Sequence, residues 1–346
     1  MKLKDFDYHL PEELIAQRPC ELRDNSRMMV IKRKTNEAER NIFQNLPEYL
    51  KEDDVLVIND TKVIPARLIG KKETGGIVEI LLLLKKGEDS GTLQTWEVLL
   101  RPAKRVSIGT RIFFNGECEA LVIDRISDKK WAVEFLTSMK FDHFLEQYGR
   151  APLPSYIKRN KDNIKSLEDI DRYQTIYARH PGSVAAPTAG LHFSQNILDT
   201  LRKGGVHIVP VTLHVGYGTF LPIETDIVEN HIMEEEFFEI TKGAAEVISA
   251  AEKVIAVGTT SIRAIESAAD ETGKIKPISA YTGLFIYPGY RFKRVNGLIT
   301  NFHLARSSLY LLVCAFAGKD LVMKAYNQAI ENRFRFYSYG DCMLIL

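Results

Sequence analysis

The sequence predicts an α/β layer fold carrying an inserted, small antiparallel β-barrel. Three observations predict it. Compact apolar runs alternate with amphipathic helical patterns in most of the chain. A central stretch shows short strand patterns separated by tight-turn signals. The length, 346 residues, exceeds what one hydrophobic core usually serves. The expected division is a discontinuous α/β domain of residues 1–66 and 151–346 and an inserted barrel domain of residues 67–150.

Val55-Leu56-Val57-Ile58 is a compact apolar run, as a strand buried on both faces requires. The barrel strands follow at 77–84, 96–100, 111–114, 120–123 and 131–135. Gly75-Gly76, the 87–91 segment, Asn115-Gly116 and Asp128-Lys129-Lys130 separate them. Asn-Gly is a strong hairpin signal because both residues tolerate positive φ. After the barrel, strands are expected at 208–213, 254–257, 284–286 and 297–299, and helices at 195–203, 262–269, 308–317 and 321–332. Gly204-Gly205 is a natural stop for the first of these helices.

Composition excludes several classes. Apolar residues at 45% and charged residues at 26% describe a folded chain rather than a disordered one. No apolar run reaches the roughly 20 residues that span a bilayer. Met1–Asp7 lacks the apolar segment of a signal peptide, so a cytoplasmic protein with no membrane partner is expected. Four dispersed cysteines without a CxxC pair argue against a thiolate zinc site or a disulfide framework. The net charge of +1 neither announces nor excludes a nucleic-acid partner, because a local patch suffices to bind phosphate. No heptad seam appears, and a monomer is expected.

In open α/β sheets, ligands bind beyond the carboxyl ends of the strands. Residues 55–58 lead into Asn59-Asp60-Thr61-Lys62, and 208–213 lead into His214-Val215-Gly216-Tyr217-Gly218-Thr219-Phe220. Gly258-Thr259-Thr260-Ser261 follows 254–257, with Arg263 on the next helix, and Thr300-Asn301-Phe302-His303 follows 297–299. Ala185-Ala186-Pro187-Thr188-Ala189-Gly190-Leu191-His192-Phe193 leads into a helix. Each segment alone is also an ordinary turn, and Ser261 alone is also an ordinary helix N-cap. Alternatively, Gly258–Ser261 presents amides to a carboxylate or phosphate. The run His231–Glu236 reads as a solvated acidic face from which one carboxylate could be recruited. Arg150–Arg159 mixes cations, prolines and Tyr156, which suits either a phosphate grip with base stacking or a rigid connector. No GxxxxGK[ST] motif, no GxGxxG turn after the first strand and no metal-ligand spacing occur.

Taken in order, these segments resemble the S-adenosylmethionine:tRNA ribosyltransferase-isomerase family of queuosine biosynthesis. The likeness runs nearly end to end: residues 6–17, 59–67, 173–175, 185–193, 213–220, 257–263, 300–304 and 336–341. Its most specific strings are Pro-Thr-Ala-Gly-Leu-His-Phe and His-Val-Gly-x-Gly-Thr-Phe. Ser155, Ala305 and Tyr337 stand where the family often has Pro, Pro and Phe, and none of these departures removes a polar group.

The resemblance implies transfer of the ribosyl part of S-adenosylmethionine to a 7-aminomethyl-7-deazaguanine at the tRNA wobble position, with rearrangement to epoxyqueuosine and release of adenine and methionine. S-adenosylmethionine is then a consumed co-substrate, no true cofactor or metal is needed, and the partner is the anticodon arm of tRNA. On this reading His192, His214 and His303 are candidate general acid/base groups, and Asp60 orients one of them or binds a ribose hydroxyl. Phe193, Tyr217 and Phe220 would face the sulfonium. Gly258, Thr259, Thr260, Ser261 and Arg263 would hold the methionine carboxylate or a tRNA phosphate. Two other classes compete: an S-adenosylmethionine-dependent RNA methyltransferase, and a non-catalytic RNA-binding module.

Overall fold

Four parallel strands make the centre of a nine-stranded sheet, and their side chains alternate between two apolar layers. In Val55–Asn59, Val55 and Val57 enter one core cluster while Leu56 and Ile58 enter the other. Val254–Val257 repeats this, with Val254 and Ala256 on one side and Ile255 and Val257 on the other. A strand covered on both faces has no polar positions, which is why these runs read as continuous apolar stretches. The first layer is filled by the helices Lys242–Ala250, Thr259–Ala268, Ser308–Ala317 and Lys319–Glu331. Helix Gln195–Lys203 and the 3₁₀ turn Phe43–Tyr49 fill the second. This computed structural model describes every residue except 88–90, 160–166 and 221, and not the side chains of Leu167 and Phe220.

Across the sheet the order is Ile278–Thr282, Glu236–Ile240, His207–Leu213, Val55–Asn59, Val254–Val257, Gly297–Asn301, Cys342–Ile345, Arg27–Lys32 and Glu37–Ile42. His207–Leu213, Val55–Asn59, Val254–Val257 and Gly297–Asn301 run parallel, so their carboxyl ends share one edge. Cys342–Ile345 lies antiparallel to Gly297–Asn301 and parallel to Arg27–Lys32. One expected strand is corrected. Residues 284–286 are irregular, and the strand lies just before them at Ile278–Thr282, paired antiparallel with Glu236–Ile240. It sits at the sheet edge with two of its five residues exposed, so its apolar signal is weaker than that of Leu284 and Phe285, which pack on the core without joining a ladder.

Clustering of contacts gives two compact units: Met1–Lys62 with Pro154–Lys158 and Gln174–Leu346, and Val63–Leu153 with Arg159–Tyr173. The second unit holds a closed six-stranded antiparallel barrel, ordered Lys130–Thr137, Leu93–Arg101, Ile77–Lys86, Arg67–Lys72, Arg111–Phe114 and Cys118–Arg125. Asn115 and Gly116 both have positive φ, 49° and 79°, as their hairpin requires. Phe141 and Phe144, on the helix Phe141–Tyr148, pack against Phe135 and Phe114. The strand Arg67–Lys72 carries no apolar run because Gly70 occupies its middle. A Cβ on Gly70 would lie 2.5 Å from Ile112 Cγ2 and 2.8 Å from Phe114 Cε1. Gly70→Ala is therefore expected to destabilise the barrel by about 1–3 kcal/mol through overpacking. Both tryptophans of the chain, Trp96 and Trp131, belong to this unit, so tryptophan fluorescence during urea unfolding reads the effect directly. An unchanged midpoint would mean that the neighbouring rings relax freely.

Candidate active site

The loops that leave the parallel strands meet at one edge, and a single buried amide ties three of them. Asn59 Nδ2 donates to the Leu213 carbonyl at 2.9 Å and to the Thr260 hydroxyl at 3.3 Å. Its Oδ1 accepts from the N–H groups of Leu213 and Thr61 at 3.0 and 3.1 Å. Two depressions open there, each of about 320 Å³ counting space open to solvent. One is lined by Ala186–Ala189, Val215, Gly258–Thr260 and Thr300. Tyr156, Asn301, Phe302, Tyr337 and Ser338 are among the residues lining the other. Thr188, Thr219, His303 and Leu309 line both.

His303 is the expected catalytic histidine that faces these depressions. Its Nε2 lies 2.7 Å from the Thr300 hydroxyl. Its peptide is clamped from both sides: the N–H donates to the Tyr326 hydroxyl at 2.9 Å, and the carbonyl accepts from the Tyr8 hydroxyl. Burial pushes its pKa down to about 3, so the ring is neutral near pH 7.

His192 is placed elsewhere. It lines neither depression and packs beside Phe43 in the second apolar layer, with Nδ1 2.7 Å from the Ser26 hydroxyl. Burial lowers its pKa to about 4, only partly offset by the nearby Asn301 side chain. His214 is half-buried next to the strand ends, with Nδ1 2.8 Å from Thr61 Oγ1 and its ring stacked on Phe237 at 5.4 Å. Its pKa is lowered by burial and then by His180, against the opposing pull of Asp60 and Glu239. Asp60 accepts from the Thr212 hydroxyl at 2.7 Å and stands 3.6 Å from the exposed His180. His180 carried no sequence signal of its own.

Several residues expected to contact a ligand lie away from the depressions. Phe193 is fully buried, edge-on to Phe43, and presents no face to a ligand. Ser261 is buried and donates to the Val257 carbonyl at 2.7 Å; Gly258, at φ 88°, takes the N-cap position of the helix instead. Arg263, expected to bind an anion, is 2% exposed and spends its donors inside: Nη1 on Glu236, Nε on the Leu284 carbonyl, Nη2 on the Thr282 carbonyl. Gly258, Thr259 and Thr260 do line a depression. Tyr217 is half-buried and lines neither, and the Phe220 side chain lies outside the described residues. In the basic segment, Arg159 pairs with Asp169 at 2.7 Å and Tyr156 bonds to Ser338 at 2.7 Å, an arrangement that suits the connector reading.

Sequence reasoning gave no role to Thr188, Thr219, Thr300 or Asn301, although all four lie inside the distinctive strings. It noted Tyr337 only as a departure from the family pattern, and its φ of 71° is unusual for a bulky residue. The Tyr337 carbonyl accepts from Asn301 Nδ2 at 3.1 Å and from the Gly340 N–H at 2.9 Å, which holds this backbone beside His303. No group of three or more His, Cys, Asp or Glu able to hold a metal occurs among the described residues, and none of their helices is long and apolar enough to cross a membrane.

The two buried histidines make stability depend on pH. Both pKa values are lower in the folded protein than the ordinary 6.5, so the unfolded chain binds more protons over that interval. Their contribution is complete above about pH 6.5. It falls by up to about 1.4 kcal/mol per unit for each ring as the pH drops, towards 4 for His192 and towards 3 for His303. Urea midpoints measured from pH 7.5 to 4.5 should decline, and His192→Asn should flatten the decline. An equal slope in that variant would contradict the buried, neutral ring.

Comparison with known proteins shows the family. Residues 3–345 match the family model described as queuosine biosynthesis protein. An S-adenosylmethionine:tRNA ribosyltransferase-isomerase of Syntrophus aciditrophicus is 57% identical over 361 residues, covering all of both chains. One of Caldanaerobacter subterraneus is 51% identical over 352 residues, again covering all of both. A crystal structure of S-adenosylmethionine tRNA ribosyltransferase from Thermotoga maritima is similar, with a TM-score of 0.54 at 36% identity, covering 99% of this chain and 100% of that one. The chain belongs to the queuosine biosynthesis protein family.

Proposed function

We propose that the protein transfers and isomerises the ribosyl moiety of S-adenosylmethionine onto the aminomethyl group of a 7-deazaguanine at the tRNA wobble position, giving epoxyqueuosine-tRNA and releasing adenine and methionine. The observation that carries this reading is the end-to-end likeness to enzymes named for that reaction, at 57% identity with no uncovered part on either chain. S-adenosylmethionine is consumed as a co-substrate, and the reaction needs no further cofactor. The sites we assign come from one chain, which fits a monomer, and a tRNA substrate fits a cytoplasmic protein. We take the unit of Val63–Leu153 with Arg159–Tyr173 as the inserted domain, expected at residues 67–150, and the other unit as the catalytic one.

The sulfonium acidifies the neighbouring 5′-CH₂ by stabilising an ylide, so the first requirement is a base at a site shielded from water. We assign His303. In the tautomer that donates Nε2–H to the Thr300 hydroxyl, Nδ1 keeps the lone pair, and the bonds to Tyr8 and Tyr326 fix the backbone that carries the ring. Burial keeps the ring uncharged, which spares it repulsion from the sulfonium; a substrate carboxylate or phosphate bound alongside would raise its basicity. Once the proton is removed, the tRNA amine replaces adenine at C1′, the bond from C1′ to the ring oxygen opens, C5′ bonds to C1′ to close the cyclopentane, and the freed oxygen on C4′ displaces methionine from C5′ as the epoxide closes. Gly258, Thr259 and Thr260 line one of the depressions, and we assign them to the methionine carboxylate. His214 and Asp60, with His180, form a second titratable group near the strand ends, suited to a ribose hydroxyl or to proton return.

The test is product identity. Purified protein with S-adenosylmethionine and tRNA bearing the aminomethyl-deazaguanine should release adenine in step with epoxyqueuosine, followed by mass spectrometry. S-adenosylhomocysteine in place of adenine would identify a methyltransferase. Binding of both substrates without turnover would identify an RNA-binding module.

A further inference from the structure

Glu236 lies outside every string that carries the family likeness, in an acidic run that reads as a solvated face. In the fold it is 4% exposed and both of its oxygens are engaged. Oε1 accepts from the Gly216 N–H and from the Thr219 hydroxyl, each at 2.7 Å. Oε2 pairs with Arg263 Nη1, and the carbonyls of Leu284 and Thr282 fix that guanidinium in turn. A buried ion pair is an expensive way to gain stability, since apolar packing of equal volume does as well or better. Its use here coincides with a specific load: the turn after His214, which contributes Thr219 to both depressions.

We propose that Glu236 is a positioning residue for the reaction, holding the Gly216–Thr219 turn so that Thr219 stands at the substrate site, with Arg263 as its fixed counter-charge. This rests on the reaction assigned above. The backbone bond to Gly216 sets the height of the turn, and the bond to Thr219 sets the rotamer of the side chain lining the site. A carboxylate accepts both at once from one oxygen while its other oxygen meets the guanidinium. A glutamine at this place has one acceptor oxygen, and its amide faces either Arg263 or the turn as a second donor. It cannot serve both sides.

The test is a double-mutant cycle read in kcat with both substrates saturating. Glu236→Gln and Thr219→Val are each expected to lower kcat about 10- to 10²-fold, the cost of a misplaced site group. The pair combined should be no worse than the poorer single variant, because both break the same link. Thr219→Ser keeps the hydroxyl and should recover most of the rate, which a purely packing role would not allow. Multiplying effects would overturn the proposal, as would a folded Glu236→Gln protein with wild-type kcat. Should Glu236→Gln fail to fold, Thr219→Val and Thr219→Ser decide alone, and equal rates in those two would overturn it. Amide exchange at Gly216, expected to quicken in Glu236→Gln, needs no turnover. An inactive wild-type protein would therefore sink the assigned reaction, while an unchanged Gly216 exchange rate would sink this proposal.

Discussion

His303→Ala is expected to lower the single-turnover rate of adenine release by about 10²- to 10⁴-fold, the usual range for a removed general base. The fold should survive, because the bonds from Tyr8 and Tyr326 go to the His303 backbone rather than its ring. Binding of S-adenosylmethionine, followed by calorimetry, should change far less than the rate. His192→Ala provides the contrast: that ring lines neither depression, so its loss should lower the melting temperature more than the rate. Rapid-quench measurement on the two variants separates the assignments. Normal adenine release in His303→Ala, with a large loss in His214→Ala, would move the base to the Asp60–His180–His214 group.

Arg263→Met is expected to destabilise the α/β unit by about 3–5 kcal/mol, since it leaves the buried Glu236 carboxylate with no opposite charge. It also frees the Leu284 and Thr282 carbonyls from their donors. Amide exchange in Glu236–Ile240 and in the Thr259–Ala268 helix should accelerate together, because the ion pair joins the two elements. The double variant Arg263→Met with Glu236→Leu should recover part of the loss, because it removes the unpaired charge while leaving the Gly216 N–H and the Thr219 hydroxyl without their acceptor. A small loss in Arg263→Met would mean that solvent reaches the carboxylate.

The sequence was most informative where burial on both faces erased polar positions. Val55–Asn59, Val254–Val257 and Gly297–Asn301 were therefore recognisable as strands, and so were the barrel strands bounded by Gly and Asn-Gly turns. Strands defined by their partners were not. Glu37–Ile42 is mostly exposed with no apolar alternation and exists because it pairs with Arg27–Lys32. Cys342–Ile345 is likewise set by its pairing with Arg27–Lys32 and Gly297–Asn301. At the site, the distinctive strings did contain the lining residues Thr188, Thr219, Thr300 and His303, because loops beyond parallel strands must carry the polar groups that the strands exclude. They could not tell which side of a loop each residue takes. His192 and Phe193 turn towards Phe43, and Arg263 turns into the protein towards Glu236. Glu236 left no trace in the pattern, since a recruited carboxylate and a solvated one look alike in a run of three.

The most direct measurement is a crystal structure of the protein with S-adenosylmethionine bound in the absence of tRNA. The sulfonium and ribose should lie between Thr188, Thr219, Thr300 and His303, with a ring nitrogen of His303 about 3–3.5 Å from C5′, the spacing of a poised proton transfer. The methionine carboxylate should face Gly258–Thr260. S-adenosylmethionine bound instead against His180 and His214, with the His303 depressions empty, would contradict the assigned site.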